Sequence, residues 1–328
     1  MADDHILKNA SRVIAEPHTR ALLDEMAAQP TASIDEVSLT ESRRALRGLM
    51  LALDRPPVPG ILSKTMDIPG PAGPVPVTLH RPVASSGLLP IAVYFHGGGW
   101  ARGDREMYDL MCRYFAAKAQ CLVVNVEYRL SPEHRFPAGL EDCHAVVQWL
   151  NSKGQTIGGD PARLAVLGDS AGGNFAAAIA IMARDEGINL CFQGLIYPGV
   201  DLRKTDIYGS RRKYNNPYYF LDVKRLHWYI DHYLNTPDEA LDPRASPLLA
   251  PCHEGLAPAA IITASLDPLC DEGEAYARVL EAANNTVEYR CFSGTVHGFA
   301  SFSKAVPMGL EAQEWMAGQL ARAFTGSL

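Results

Sequence analysis

Residues 168–173, which read Gly-Asp-Ser-Ala-Gly-Gly, constrain the fold of this chain more than any other feature. Residues 164–167 before them form a continuously apolar run, which is typical of a strand buried on both faces of a parallel sheet. Residues 174–184 after them are rich in Ala, Ile and Met and predict a helix. Glycines two positions before and after Ser170 allow a sharp turn that exposes the serine hydroxyl. This nucleophile-elbow pattern predicts an α/β fold with Ser170 as the candidate nucleophile.

Strands and helices alternate along most of the chain, which favours a mostly parallel sheet flanked by helices. Near the start of this pattern, residues 64–68 and 75–81 surround a turn rich in Pro and Gly, and they predict an antiparallel hairpin at the sheet edge. Further strands are predicted at 91–95, 122–127, 164–167, 191–197, 259–264 and 287–292. Helices are predicted at 108–118, 139–151, 175–184, 272–283 and 311–323.

Two segments depart from this alternation. Residues 1–55 read as helical, with a capping-box pair, Ser38 and Glu41, ahead of one helix. Residues 201–235 are crowded with aromatic side chains and contain a helical pattern behind Asp222. We interpret residues 201–235 as an insertion, and we expect any second unit to be a cap docked on the main sheet.

Composition narrows the class of protein. The 328 residues carry a formal net charge of -7, which provides no basic surface for nucleic acid. Residues 1–13 are polar and lack the apolar core of a secretory signal, and no apolar run approaches the roughly 20 residues of a membrane helix. The chain is therefore predicted to be cytoplasmic, with no membrane span and no nucleic-acid partner.

The seven cysteines are scattered, odd in number and mostly embedded in apolar segments. This distribution predicts reduced thiols in the core rather than a disulfide framework. No paired spacing of Cys and His indicates a zinc site. No metal is predicted.

A serine hydroxyl is a poor nucleophile at neutral pH, so Ser170 requires a base and a group that orients that base. After an elbow of this type the acid precedes the histidine along the chain. Asp267 follows the apolar run 259–264, and His297 follows the next run, 287–292. Either residue alone is more typical of a structural turn or loop, but their succession after the elbow predicts a triad of Ser170, Asp267 and His297.

Three consecutive glycines, residues 97–99, follow the predicted strand 91–95. Glycines leave backbone N–H groups accessible to a ligand, so we predict that Gly97, Gly98 and Ala171 donate to an oxyanion. A phosphate-binding loop is the competing interpretation. The glycines lack the sequence context of the loops that bind dinucleotides or nucleoside triphosphates.

Five motifs together resemble a known family: residues 96–100, 128–133, 168–173, 267–273 and 297–299. The chain resembles the hormone-sensitive lipase family of bacterial carboxylesterases, also called family IV, within the α/β-hydrolases. The resemblance implies an eight-stranded sheet, a helical cap built from residues 1–55 and 201–235, and hydrolysis of esters of short- to medium-chain acids through an acyl-enzyme. The α/β-hydrolase domain then comprises residues 56–200 and 236–328. It implies no cofactor and no metal, and it is compatible with a homodimer.

Several assignments stay open at this stage. Trp100 and Phe220 are candidate pocket residues, and Asp169 either supports the elbow or tunes a neighbouring group. Glu272 is interpreted as a helix-initiating acid. An amidase, formamidase or acyltransferase would use the same triad. A ligand-binding receptor similar to the plant gibberellin receptors, which lack the catalytic histidine, is a remote alternative because His297 is present.

Overall fold

The computed structural model describes residues 15–28 and 33–328. Within them, one sheet has the strand order β1-β2-β4-β3-β5-β6-β7-β8, in which β3 to β8 are parallel and β1 and β2 are antiparallel to their neighbours. The mostly parallel eight-stranded sheet is therefore confirmed. The strands are β1 Ile61–Gly70, β2 Gly73–Pro82, β3 Leu89–Phe95, β4 Leu122–Val126, β5 Gly159–Asp169, β6 Leu190–Ile196, β7 Ala259–Ala264 and β8 Val287–Phe292.

Helices cover both faces of this sheet. They are α1 Pro17–Ala27, α2 Leu39–Leu53, α3 Asp109–Ala119, α4 Ala138–Lys153, α5 Ala171–Asp185, α6 Gly209–Lys213, α7 Val223–Tyr233, α8 Cys270–Ala282 and α9 Pro307–Phe324. Alternate residues of β3 pack into different apolar clusters: Ile91 and Val93 lie with residues of α4, α5 and α8, whereas Ala92 and Tyr94 lie with residues of α3 and α9. This two-sided burial explains why the central strands are continuously apolar.

Local sequence signals account for several of these boundaries. The edge hairpin of β1 and β2 turns between Gly70 and Gly73, as predicted. Helix α2 begins with a complete capping box, in which Ser38 and Glu41 bond to each other's backbone N–H. Helix α7 begins at the predicted cap, because the Asp222 carboxylate accepts the Arg225 N–H at 2.7 Å.

The cysteines only partly follow the prediction of core thiols. Cys112, Cys121 and Cys143 are buried, whereas Cys252 and Cys291 are exposed. All seven are free thiols. The difference arises because Cys291 lies on β8, a strand at the sheet edge whose residues are mostly half-exposed.

Two predictions concern the membrane and export. None of the helices within the described residues combines the length and the apolar character needed to cross a bilayer. The predicted absence of a secretory signal concerns residues 1–13, which lie outside the described residues. Residues 1–14 and 29–32 of the predicted cap also lie outside them.

Candidate active site

Ser170 occupies a strained turn between β5 and α5. Its φ of 54° and ψ of -117° lie outside the regions that non-glycine residues ordinarily adopt. The two flanking glycines permit this turn, because a Cβ at Gly168 would lie 2.2 Å from the Gly172 carbonyl oxygen, and one at Gly172 would lie 1.9 Å from the Phe95 carbonyl oxygen. The turn places the Ser170 hydroxyl in a cavity at the carboxyl end of the sheet.

The three residues of the predicted triad meet at this edge. His297 Nε2 lies 2.8 Å from Ser170 Oγ, and His297 Nδ1 lies 2.7 Å from Asp267 Oδ2. Because an ionised carboxylate only accepts hydrogen bonds, Nδ1 carries the proton and Nε2 is free to accept the Ser170 proton. The other oxygen of Asp267 accepts the Leu269 N–H at 2.8 Å, and this carboxylate is fully buried.

The predicted oxyanion donors need one correction. The Gly97 N–H donates to Asp169 Oδ1 at 2.8 Å, so it is not available to a ligand, and Gly97 does not line the cavity. Gly98 and Ala171 do line it, together with Gly99. Within the residues that the structure describes, the N–H groups of these three have no acceptor. The candidate donors are therefore Gly98, Gly99 and Ala171.

Close packing explains why this run requires glycine. At Gly98, φ is +123° and an added Cβ would lie 2.2 Å from the Arg102 carbonyl oxygen. At Gly99, φ is +64° and an added Cβ would lie 2.3 Å from the Tyr229 ring. Helix α7 of the insertion thus packs directly over the glycine run.

Asp169 connects the glycine run to the elbow. Its buried carboxylate accepts three hydrogen bonds, from the Gly97 N–H, from the Tyr94 hydroxyl at 2.9 Å and from the Tyr108 hydroxyl at 3.0 Å. Burial raises the pKa of Asp169 to about 6, although these three bonds oppose the shift. The contacts favour a role in supporting the elbow. The two tyrosines were not predicted, because they are distant in sequence and belong to no motif.

The cavity has a volume of about 480 Å³. Both candidate pocket residues line it: Trp100 stacks on Tyr233 at a centroid distance of 4.6 Å, and Phe220 packs edge-on against Phe302 at 5.1 Å. Apolar residues of α1, α2 and the segment between β6 and β7 complete much of the wall. They are Met26, Ala45, Leu46, Leu49, Met50, Leu202, Leu221 and Leu226.

Glu272 does more than begin a helix, so its interpretation as a helix-initiating acid is incomplete. It is fully buried, pairs with Arg211 of α6 at 2.5 Å, and accepts the Val200 N–H at 2.9 Å. Arg211 is also buried. This ion pair fastens the insertion to the helix that follows Asp267. No motif pointed to Arg211.

Metal ligands are not grouped in this part of the protein. Within the described ranges, no set of three or more His, Cys, Asp or Glu side chains has the arrangement of a metal site. The polar groups that converge near Ser170 are instead a histidine, a carboxylate and backbone N–H groups. Such groups suit nucleophilic attack on a carbonyl carbon.

Comparison with known proteins agrees with this chemistry. A family model described as alpha/beta hydrolase fold matches residues 92–301. Carboxylesterase NlhH of Mycobacterium tuberculosis is 38% identical over 303 residues, which cover 90% of this chain and 92% of that protein. Ethyl acetate hydrolase of Pseudomonas putida is 37% identical over 233 residues, covering 69% of this chain and 71% of that protein.

Among solved structures, the ester-hydrolase EH1AB1 from the metagenome of Lake Arreo is 36% identical, with a TM-score of 0.90. The match covers 95% of this chain and all of that one. Fold, sequence and the motifs therefore agree. The chain belongs to the alpha/beta hydrolase fold family and is a carboxylic ester hydrolase of the family IV type.

Proposed function

We propose that this chain is a serine carboxylesterase of the hormone-sensitive lipase family, which hydrolyses short- to medium-chain acyl esters through a Ser170–His297–Asp267 triad. The observation that carries the proposal is the pair of contacts made by His297, at 2.8 Å to Ser170 Oγ and 2.7 Å to Asp267 Oδ2. One imidazole thereby joins the hydroxyl that attacks to the carboxylate that holds the ring in place.

In the proposed mechanism, His297 takes the Ser170 proton as the oxygen attacks the ester carbonyl carbon. The imidazolium, stabilised by Asp267, then protonates the leaving alcohol, and an acyl-enzyme remains. Water activated by His297 attacks this acyl group and releases the acid. The N–H groups of Gly98, Gly99 and Ala171 would stabilise the oxyanion in both steps.

The walls of the cavity support the proposed range of acyl chains. Its volume of about 480 Å³ is shared between the acyl and alcohol groups, and the apolar wall favours aliphatic chains of limited length. We assign the wall from α1 and α2, together with the insertion at 201–235, to a cap over the residues 56–200 and 236–328. Trp100 and Phe220 would contact the substrate from the glycine run and from the insertion.

Replacement of the nucleophile tests the proposal. Ser170→Ala should abolish hydrolysis of 4-nitrophenyl butyrate and covalent labelling by a fluorophosphonate, with an unchanged circular dichroism spectrum. Ser301→Ala is a matched control, because this serine also lines the cavity but, within the described residues, makes no hydrogen bond with His297. Turnover by Ser170→Ala close to that of the wild type would exclude Ser170 as the nucleophile.

Acyl transfer from an amide, or to an acceptor other than water, would use the same catalytic groups. Amidase, formamidase and acyltransferase activities therefore form the second candidate function. Comparing kcat/KM for matched ester, anilide and formamide substrates distinguishes them. A higher value for the anilide or the formamide would overturn the assignment of an ester as the preferred substrate. A homodimer stays a prediction.

A further inference from the structure

The cationic side chain of Arg102 lies in the wall of the cavity that contains Ser170 and His297. Its backbone N–H donates to the Gly98 carbonyl at 3.0 Å. One Nη donates to Ser42 Oγ at 3.0 Å, and the other donates to the Tyr229 hydroxyl. Arg102 therefore lies where the glycine run, helix α2 and helix α7 meet.

The Arg102 guanidinium has no carboxylate partner among the residues that the structure describes. Its two hydrogen bonds go to neutral hydroxyl groups, and its buried Nε has no acceptor at all. A guanidinium has five N–H donors, so about three of them remain unused. The guanidinium carbon also lies 5.1 Å from the centroid of the Tyr229 ring, but within the described ranges no anion is paired with the positive charge of Arg102.

The carboxylates in the same wall are engaged elsewhere. Asp169 accepts the Gly97 N–H and two tyrosine hydroxyls, and Glu272 pairs with Arg211. Glu41 is exposed and caps α2 through Ser38. None of these three groups neutralises Arg102.

A second arginine adds positive charge to the same region. Arg225 also lines the cavity, and it donates to the Phe220 carbonyl at 2.5 Å and lies 3.8 Å from the Asp222 carboxylate. Burial, with a smaller contribution from Arg225, lowers the pKa of Arg102 to about 10. Arg102 is still cationic at neutral pH.

Arg102 is partly buried, with its Nε fully enclosed. A partly buried cation without an anionic partner is unfavourable, and an arginine in an apolar wall binds a planar carboxylate well. The rest of this wall is largely apolar and includes Leu46, Met50, Leu221 and Leu226. An anion carried by the substrate would supply the missing charge, whereas a neutral aliphatic chain would leave the guanidinium without an anionic partner.

We propose that Arg102 binds a carboxylate at the end of the substrate remote from the scissile bond, so that the preferred esters carry a second, ionised carboxyl group. This inference rests on the proposed function of the same cavity. The carboxylate belongs either to the acyl group, as in a monoester of a dicarboxylic acid, or to the alcohol, as in an acylated hydroxy acid.

Two matched substrate pairs separate these sources. Monomethyl adipate is compared with methyl hexanoate for the acyl side, and 4-acetoxybutanoate is compared with butyl acetate for the alcohol side. Acid release at pH 8 gives kcat/KM for each ester, and the ratio of charged to neutral ester is compared between proteins. The intrinsic reactivity of each ester is the same for every protein, so it cancels when the ratios are compared.

We expect Arg102→Met to lower this ratio about 10- to 100-fold for one of the two pairs, and Arg102→Lys to retain part of it. Arg43→Met is the matched control. Arg43 of α2 donates to the carbonyl of Ala101, which is next to Arg102, and also to the Ser131 carbonyl and Glu133, but it does not line the cavity. Its replacement should leave both ratios unchanged.

A ratio within twofold of the wild-type value for both pairs in Arg102→Met would overturn the proposal. An equal loss of the ratio in Arg43→Met would show that the effect comes from altered packing of α2 and not from the charge of Arg102, and it would also overturn the proposal.

Binding to the Ser170→Ala variant provides a readout that does not depend on turnover. By calorimetry, this variant should bind the charged member of the responsive pair more tightly than the neutral one, and adding Arg102→Met should remove the difference. Charge-dependent binding by Ser170→Ala, together with a wild-type protein that does not hydrolyse the same esters, would contradict the proposed function while supporting the role of Arg102. Equal binding of the charged and neutral members would contradict the role of Arg102.

Discussion

The Asp169 carboxylate accepts the Gly97 N–H at 2.8 Å and so joins the residue before the nucleophile to the glycine run. The same oxygen, Oδ1, accepts the Tyr94 hydroxyl, whereas Oδ2 accepts the Tyr108 hydroxyl. The position of the Gly98 and Gly99 N–H groups relative to Ser170 therefore depends on one side chain.

Asp169→Ala should reduce kcat for a short-chain ester about 100-fold, because three buried donors lose their acceptor and the glycine run is no longer held. Asp169→Asn should retain most of kcat, since its amide oxygen still accepts from Gly97 and Tyr94. Steady-state kinetics on both variants measure this. An equally low kcat for the two variants would argue against the acceptor role.

Ala171→Pro should reduce kcat about 10²- to 10³-fold, because proline removes the N–H donor at the first residue of α5. Ala171→Ser keeps that N–H and should retain activity. Circular dichroism and thermal unfolding check that α5 still forms in both variants. Similar activity in the two would show that the Ala171 N–H does not contact the oxyanion.

Phe220→Ala should shift the acyl-chain optimum toward longer chains, because the ring lies in the cavity wall close to Gly298, beside His297. A series of 4-nitrophenyl esters measures the optimum. Phe302→Leu is the control, since Phe302 packs on Phe220 but does not line the cavity. An unchanged optimum in Phe220→Ala would remove Phe220 from the acyl pocket.

Asp54→Asn should stabilise the protein more at pH 8 than at pH 5. Burial raises the pKa of Asp54 to about 6 in the folded state, so the folded protein holds this proton more tightly than the unfolded chain does. Ionisation of Asp54 therefore lowers stability as the pH rises from about 4 to above 6, by about 2 to 3 kcal/mol in total.

Urea unfolding at the two pH values measures the effect of Asp54→Asn. The gain should be larger at pH 8 by about 1 kcal/mol. Arg55→Met is a second test, because removing the Arg55 cation raises the pKa of Asp54 further and should increase the loss of stability with rising pH. An equal increase in the free energy of unfolding at both pH values would show that ionisation of Asp54 does not destabilise the folded protein.

The central strands were predictable because strands that are buried on both faces consist of continuous apolar runs, as in residues 164–167. The proximity of Ser170, Asp267 and His297 was predictable for a related reason. Parallel strands end at one edge of the sheet, so residues that follow different strands are brought together. Spacing along the chain was enough to predict this proximity.

The glycine donors were predicted less well. The sequence indicates that three glycines follow β3, but the direction of each N–H depends on Asp169, which is 72 residues away from Gly97. Arg102 and Arg211 were missed because their positions depend on contacts with distant segments of the chain. An isolated arginine in a sequence carries no signal of burial.

The ion pair between Arg211 and Glu272 has a consequence for how the protein unfolds. If the insertion detached alone, Glu272 would lose its cationic partner, and loss of one partner from a buried ion pair costs about 3 to 5 kcal/mol. Local opening of the insertion is therefore disfavoured. We expect calorimetry to record one cooperative transition for the insertion and the sheet, and Arg211→Met to separate an earlier, smaller transition from it.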